Sequence, residues 1–426
     1  MSYLKIKQAK GIRGEIRLRG DKSISHRAVM LASLALGRTE ISGFLEGEDC
    51  LNTVRAFKAL GVRIEEEEDR LSIYGQGIRG LKKPKEVLDV GNSGTTMRLL
   101  LGILAGQEFT SIITGDESLR KRPMKRVTLP LTQMGARFEG DYAPVTICGN
   151  PHLKAISYHS PVASAQVKSA ILLAGLFANG VTSVTEPVLS RDHTERMLPF
   201  FGVELKKEGL TVRLKGPTTL SGGRTIRIPA DISSASFFIV AALILPDSKI
   251  TLPNVGLNPT RTGLLDILKK MEARITIKNL REIGTEPVGD IEVASSRLRG
   301  VEVDREDIPR LIDEIPILAV ACALAEGKSQ IRGAEELRVK ECDRLSALVS
   351  ELGKMGAKIK ELKDGLIISG GSLLKGAKVE SFFDHRIAMS LAVAGLAATG
   401  ETVIKESQCI GTSFPDFIVL LDRSLA

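Results

Sequence analysis

Short polar runs rich in cations and carboxylates recur along the chain, each just ahead of an apolar stretch. GDKSISHR (residues 20–27) brings Lys22, Ser23 and Arg27 together, and NSGTTMR (92–98) carries Asn92 and Gly94. LRKRPM (119–124) is a cationic loop around Arg122, and VASAQVKS (162–169) offers Ser164 and Gln166 as neutral partners. Asp313 opens an apolar segment, LRVKECDR (337–344) packs Lys340, Glu341 and Arg344 within about one turn, and FFDHR (382–386) sets His385 and Arg386 at a helix start. So many cations suit a small ligand bearing phosphate and carboxylate groups, which guanidinium forks clamp in a bidentate way. Carboxylates among those cations are placed to move protons.

Each run also has a plain structural reading. Lys22 and its neighbours can form a basic surface cap, NSGTTMR an N-cap turn, and Asp313 a simple cap, which Asp favours. LRVKECDR reads locally as a solvated helix face. GQGIRG (75–80) matches a dinucleotide fingerprint, but LKKPK follows where a helix is required, so a turn between strands is expected. GDKS ends like a phosphate loop, yet Asp21 separates Gly20 from Lys22 and breaks the spacing. Five scattered histidines give no metal-ligand spacing.

The elements that must position these residues form an internal repeat. A polar start, an Ala/Leu-rich helix and a β-like run recur six times, beginning near Lys22, Asn92, Ser164, Ile232, Ile312 and Asp384. The helices are apolar around most of their circumference and should be buried. A second helix follows most copies, as in LNTVRAFKALGVRI, TGLLDILKKMEARI and LSALVSELGKMGAKI, usually ending at a Gly suited to a left-handed cap. Six units predict an α/β protein of two inside-out, barrel-like lobes. Each lobe holds three βαβαββ-type repeats, with helices inside and sheets outside. One lobe spans 20–227; the other combines 1–19 with 228–426, because the sixth unit lacks its last strands and the strand at residues 4–18 can complete it. Helix N-termini are anion sites, so the polar runs lie where charge is useful.

With 426 residues, more than one core is expected. Aromatics are 4% with no Trp, which argues against base-stacking surfaces and implies aliphatic cores. The net charge of +8 suits anionic partners, but its spread along the chain points to a small ligand rather than nucleic acid. Five isolated cysteines without a CxxC pair indicate neither disulfides nor a zinc ribbon. The N-terminus lacks an apolar signal core and no run is long enough to span a bilayer, so a cytoplasmic location is expected.

GDKSISHR, NSGTTMR, RKRPM, SAQ, LRVKECDR and DHRIAM, in that order from about residue 20 to 390, closely resemble the motifs of the enolpyruvyl transferase family. LRVKECDR together with DHR is the most specific part. The resemblance implies two inside-out lobes that close over substrates, and transfer of the enolpyruvyl group of phosphoenolpyruvate to the 5-hydroxyl of shikimate 3-phosphate. It further implies that Lys22, Ser23, Arg27, Ser164, Gln166 and Arg191 contact shikimate 3-phosphate. Gly94, Arg122, Arg344 and Arg386 are implied for phosphoenolpyruvate, Lys22 and Gln166 for both ligands, Asn92 for substrate binding, and Asp313 and Lys340 for the ring hydroxyls. Asp313 and Glu341 are the implied acid–base pair, assisted by Lys22 and His385. No metal or organic cofactor is implied, and a monomer is expected.

Three departures from the family pattern stand out: Thr412 where many relatives carry Lys, Ala165 where a second Ser is common, and Glu336 where Asn is common. Gly94 is kept where glyphosate-tolerant members often carry Ala, so glyphosate is expected to compete with phosphoenolpyruvate. A sister activity on UDP-N-acetylglucosamine would want a Cys in the loop at RKRPM, which has none. An RNA 3′-phosphate cyclase fits the helix-start motifs poorly, and a non-catalytic phosphosugar-binding module would need neither Asp313 nor Glu341.

Overall fold

In the computed structural model, which describes residues 2–68 and 70–426, six apolar helices are the cores around which everything else packs. They alternate with six more one-sided helices. In chain order the twelve are α1 (Lys22–Leu34), α2 (Glu48–Ala59), α3 (Gly94–Ala105), α4 (Lys125–Gln133), α5 (Ala165–Gly175) and α6 (His193–Phe200). Then come α7 (Ile232–Ile244), α8 (Gly263–Lys270), α9 (Ile315–Leu324), α10 (Arg344–Lys354), α11 (His385–Ala397) and α12 (Phe417–Ser424). Every residue from Ile24 to Leu34 of α1 is buried, as is every one from Ile232 to Leu243 of α7.

Side-chain caps start these helices where the polar runs stand. Asp21 accepts from the Ile24 N–H, Ser93 from Thr96, Ser164 from Val167, Asp231 from Ser233, and Asp384 from Arg386 and Ile387. Such caps satisfy donors that a buried helix end would otherwise strand. Helix α9 is the exception: it has no side-chain cap, carries Pro316 as its second residue and follows a 3-10 turn at Ile312–Glu314. Asp313 therefore sits inside that turn, and the N-cap position of α9 falls to Glu314, contrary to the simple-cap reading.

The chain divides into two units, Gly20–Ile228 with Ile283–Thr285, and Met1–Arg19 with Pro229–Glu282 and Glu286–Ala426. Each holds three sheets of one plan and its own hydrophobic core. In the first unit the central strands Ala35–Ser42, Thr110–Thr114 and Gly180–Thr185 each pair in parallel with an incoming strand and antiparallel with one strand of a hairpin. The second unit repeats this at Lys249–Gly256 and Lys328–Ile331. In its last sheet the hairpin is missing. Tyr3–Lys7 takes that place, running antiparallel to Glu401–Lys405 from Tyr3 opposite Lys405 to Lys7 opposite Glu401. The segment read as one N-terminal strand is in fact two, since Arg13–Glu15 pairs with Lys249–Thr251 in a different sheet.

Two local details differ from expectation. The short helices α2, α4, α6 and α10 end at glycines with positive φ, but after α8 the left-handed position is filled by Glu272 at φ 65°. The cores are mainly aliphatic, and in the second unit four phenylalanines cluster. Phe237 and Phe238 of α7 meet Phe414 and Phe417, with ring centroids 5.6–6.1 Å apart, and this cluster docks the shortened sixth unit. Close helix contact also has a local cause: a Cβ on Gly102 of α3 would lie 2.3 Å from the Ala170 carbonyl oxygen of α5. GQGIRG closes the strand Arg70–Gln76 and turns, with no helix after it.

Candidate active site

In the first unit the polar residues converge on the starts of α1, α3 and α5. Lys22 Nζ lies 2.9 Å from Asp49 Oδ2, both largely shielded from water. Arg27 is buried, and its Nε donates to Thr194 Oγ1 (2.7 Å), Nη1 to the Ser23 carbonyl (3.0 Å) and Nη2 to Ser169 Oγ (2.9 Å). That web is not a surface cap. His26, facing the other way, shares a 2.6 Å hydrogen bond with Thr53 Oγ1, which lies 2.6 Å from Thr96 Oγ1. Burial first, then the charges of Lys22 and Arg27, keep its imidazole well below the ordinary value, so it is neutral.

Around α3, Arg122 is buried and donates through Nη2 to Asn92 Oδ1 at 2.7 Å and to Ser118 Oγ at 3.0 Å. Asn92 is itself oriented by Asp116, at 2.7 Å. A Cβ on Gly94 would stand 2.9 Å from Arg98 Nη1 and 3.3 Å from Arg122 Nη1, so the glycine leaves room beside two guanidinium groups. Arg98 in turn donates to Gln166 Oε1 at 2.9 Å, and Gln166 Nε2 donates to Thr95 Oγ1 at 3.1 Å. Ser164 caps α5, and Arg191 stands half-buried in the loop before α6.

In the second unit the centre is Arg344, which is 1% exposed. Its Nε donates to Asp384 Oδ2 at 2.7 Å and its Nη2 to Glu341 Oε2 at 2.7 Å, while Nη1 lies 3.6 Å from Asp313 Oδ1. LRVKECDR is thus no solvated helix face. Lys340 and Glu341 precede the helix, Asp343 caps it, and Arg344 points into the interior. Burial works against the Arg344 charge, but Asp384, Glu341 and Asp313 outweigh it and hold the guanidinium above its ordinary value. Lys340 moves the other way: lost solvation and the Arg344 charge lower its pKa against the pull of Asp313 and Glu341.

Arg386 Nη1 donates to the Asp313 carbonyl at 2.9 Å, with Nη2 3.7 Å from Asp313 Oδ2. Behind it, Glu314 is fully buried, 3.7 Å from Arg386 Nη1, and hydrogen-bonded to Ser233. His385 is buried as the first residue of α11. Two guanidinium groups thus flank one carboxylate, Asp313, beside an ammonium whose pKa is lowered. Such an array can hold an anion while one carboxylate moves a proton.

The model of the EPSP synthase (3-phosphoshikimate 1-carboxyvinyltransferase) family matches residues 6–421. The chain belongs to this family. It is 58% identical over 419 residues to the 3-phosphoshikimate 1-carboxyvinyltransferase of Desulforamulus reducens, covering 97% of each chain. With that of Bacillus cereus strain G9842 the identity is 55% over 417 residues, again 97% of each. The solved EPSP synthase of Acinetobacter baumannii superposes with a TM-score of 0.88 at 46% identity, covering 99% of this chain and 98% of that one. An enolpyruvyl transferase from Streptomyces tendae shares the fold alone, with a TM-score of 0.80 at 17% identity.

Within this family member, sequence reasoning missed several partners. Arg98 lies inside the quoted NSGTTMR run and its charge was a usable signal. Asp384 lies inside FFDHR. Asp49 carries no local signal, because it meets Lys22 only through the packing of α2 on α1. Thr412, standing where many relatives have Lys, donates to the Cys409 carbonyl at 2.7 Å and ends a 3-10 turn. None of the five cysteines forms a disulfide, and burial pushes the Cys322 thiol up to about 11. No described helix is long and apolar enough to cross a membrane.

Proposed function

We infer that the protein transfers the enolpyruvyl group of phosphoenolpyruvate to the 5-hydroxyl of shikimate 3-phosphate and releases phosphate, a step of aromatic amino-acid biosynthesis. The observation that carries this reading is the family match over residues 6–421. The reaction is an addition followed by an elimination. The 5-hydroxyl oxygen bonds to C2 of phosphoenolpyruvate while C3 gains a proton. The adduct then loses a C3 proton and the C2–O bond to phosphate, restoring the double bond.

The family resemblance, together with the charge around each group, supports the following residue roles. Asp313, flanked by Arg344 and Arg386, takes the hydroxyl proton, and Glu341 delivers the C3 proton and takes it back. Lys22 and His385 serve the bridging oxygen as phosphate departs. Gly94, Arg122, Arg344 and Arg386 hold phosphoenolpyruvate, and Asn92 supports binding by orienting Arg122. Ser23, Arg27, Ser164, Gln166 and Arg191 hold shikimate 3-phosphate, with Lys340 and Asp313 on its hydroxyls; Lys22 and Gln166 serve both ligands. Charge-assisted hydrogen bonds of this kind contribute about 1.5–3 kcal/mol each. The reading also includes two inside-out lobes of three repeats each, a monomer in the cytoplasm, and a reaction without a metal or organic cofactor.

Inorganic phosphate release from phosphoenolpyruvate tests it, with shikimate 3-phosphate and separately with UDP-N-acetylglucosamine. Release with the first alone is expected. Release only with the second, or with neither, overturns the assignment.

A further inference from the structure

Lys168 is the most deeply buried cation of the first unit, and it lies one helical turn beyond Ser164 on α5. Its Nζ stands 2.6 Å from Glu186 Oε2 and 2.6 Å from Glu195 Oε1, with the Ser190 carbonyl at 3.5 Å. All three side chains are at most 3% exposed. Glu186 has a second task. Its Oε1 accepts the Ser164 N–H at 3.2 Å and its Oε2 the Ser190 N–H at 3.3 Å, and Ser190 is joined directly to Arg191.

Residues adjacent to these in both helices carry another contact. Ser169 and Thr194, the sequence neighbours of Lys168 and Glu195, share a 2.7 Å hydrogen bond, and both bind the Arg27 guanidinium. Ser164, Arg27 and Arg191 are therefore all attached to one patch of α5 and the start of α6.

We propose that Lys168, Glu186 and Glu195 are positioning residues that set the shikimate 3-phosphate contacts Ser164, Arg27 and Arg191, and so govern affinity for that substrate and not for phosphoenolpyruvate. This deepens the site reading above and rests on it. One ammonium between two carboxylates is a costly cluster to bury in a dry interior for stability alone. Burial accordingly raises the Glu195 carboxyl, with Lys168 opposing it, while the two carboxylates hold the Lys168 ammonium above its ordinary value against burial. Apolar side chains would fill the same volume at less cost, but they exert no direction on the Ser164 and Ser190 amides. The bracket does so, and a rigid supporting shell is what a bidentate anion site requires.

The test is steady-state kinetics of Lys168→Met and Glu186→Gln, with each substrate varied in turn. Both substitutions should raise KM for shikimate 3-phosphate by about ten- to hundredfold while KM for phosphoenolpyruvate stays within about twofold. Lys168→Arg should recover part of the loss. Glu186→Gln keeps the Lys168–Glu195 pair, so it reports even where Lys168→Met fails to fold. Arg191→Ala separates the two levels of the argument. If it raises KM for shikimate 3-phosphate while the bracket variants only lower Tm, or raise both KM values alike, the bracket is overturned and the site reading stands. If Arg191→Ala leaves that KM unchanged, the site reading falls and takes the bracket with it.

Discussion

Asp384 holds Arg344 by a 2.7 Å bond from Nε while its other oxygen caps α11 through the Arg386 and Ile387 amides. One carboxylate thereby ties the start of α10 to the start of α11 and aims the rest of the Arg344 fork toward Glu341 and Asp313. The same group stabilises the helix and orients a guanidinium proposed to bind substrate.

Asp384→Asn separates those duties. Asn is as good a cap as Asp, but it leaves a buried guanidinium without its strongest counter-charge. A loss of about 3–5 kcal/mol in urea unfolding is expected, together with a higher KM for phosphoenolpyruvate. Unchanged stability would mean that Glu341 and Asp313 suffice to neutralise Arg344.

Asp313→Ala should lower kcat by roughly 10²–10⁴-fold, with affinity for shikimate 3-phosphate changing far less. Calorimetric binding beside single-turnover rates makes the comparison. Normal turnover in the variant would remove Asp313 from the proton path.

Glyphosate should inhibit in competition with phosphoenolpyruvate, because Gly94 leaves the space beside Arg98 and Arg122 open. In Gly94→Ala the methyl group would press on both guanidinium groups. Overpacking of about 1–3 kcal/mol corresponds to roughly 5- to 150-fold weaker inhibition. Inhibition constants measured at several phosphoenolpyruvate concentrations decide it, and equal constants in the two proteins would count against the crowding argument.

The lowered Lys340 value carries a pH signature. As pH rises through its folded value, beneath the ordinary 10.5, the ammonium is lost and KM for shikimate 3-phosphate should climb. Stability moves oppositely. The folded state binds fewer protons here than the unfolded chain between those two values, so this site adds stability as pH rises across that window. Lys340→Arg should shift the alkaline limb of kcat/KM to higher pH; a limb that stays in place assigns the titration to another group.

Much of the architecture was legible in the residues. Six polar-then-apolar segments each became a buried helix, because a helix apolar on every side can satisfy itself only in a core and its first amides need a polar start. The motif runs likewise pointed to Lys22, Arg122, Arg344 and Arg386. Which distant carboxylate a cation meets was decided only by the fold. Lys22 and Asp49 are 27 residues apart, and Arg344 and Asp384 are 40 apart. Spacing along a chain reports which side chains share a helix face, but not whether that face meets water or a carboxylate from another helix. For that reason LRVKECDR taken locally looked like a wet surface while Arg344 is enclosed, and Lys168 stands out only because α5, α6 and Glu186 close around it.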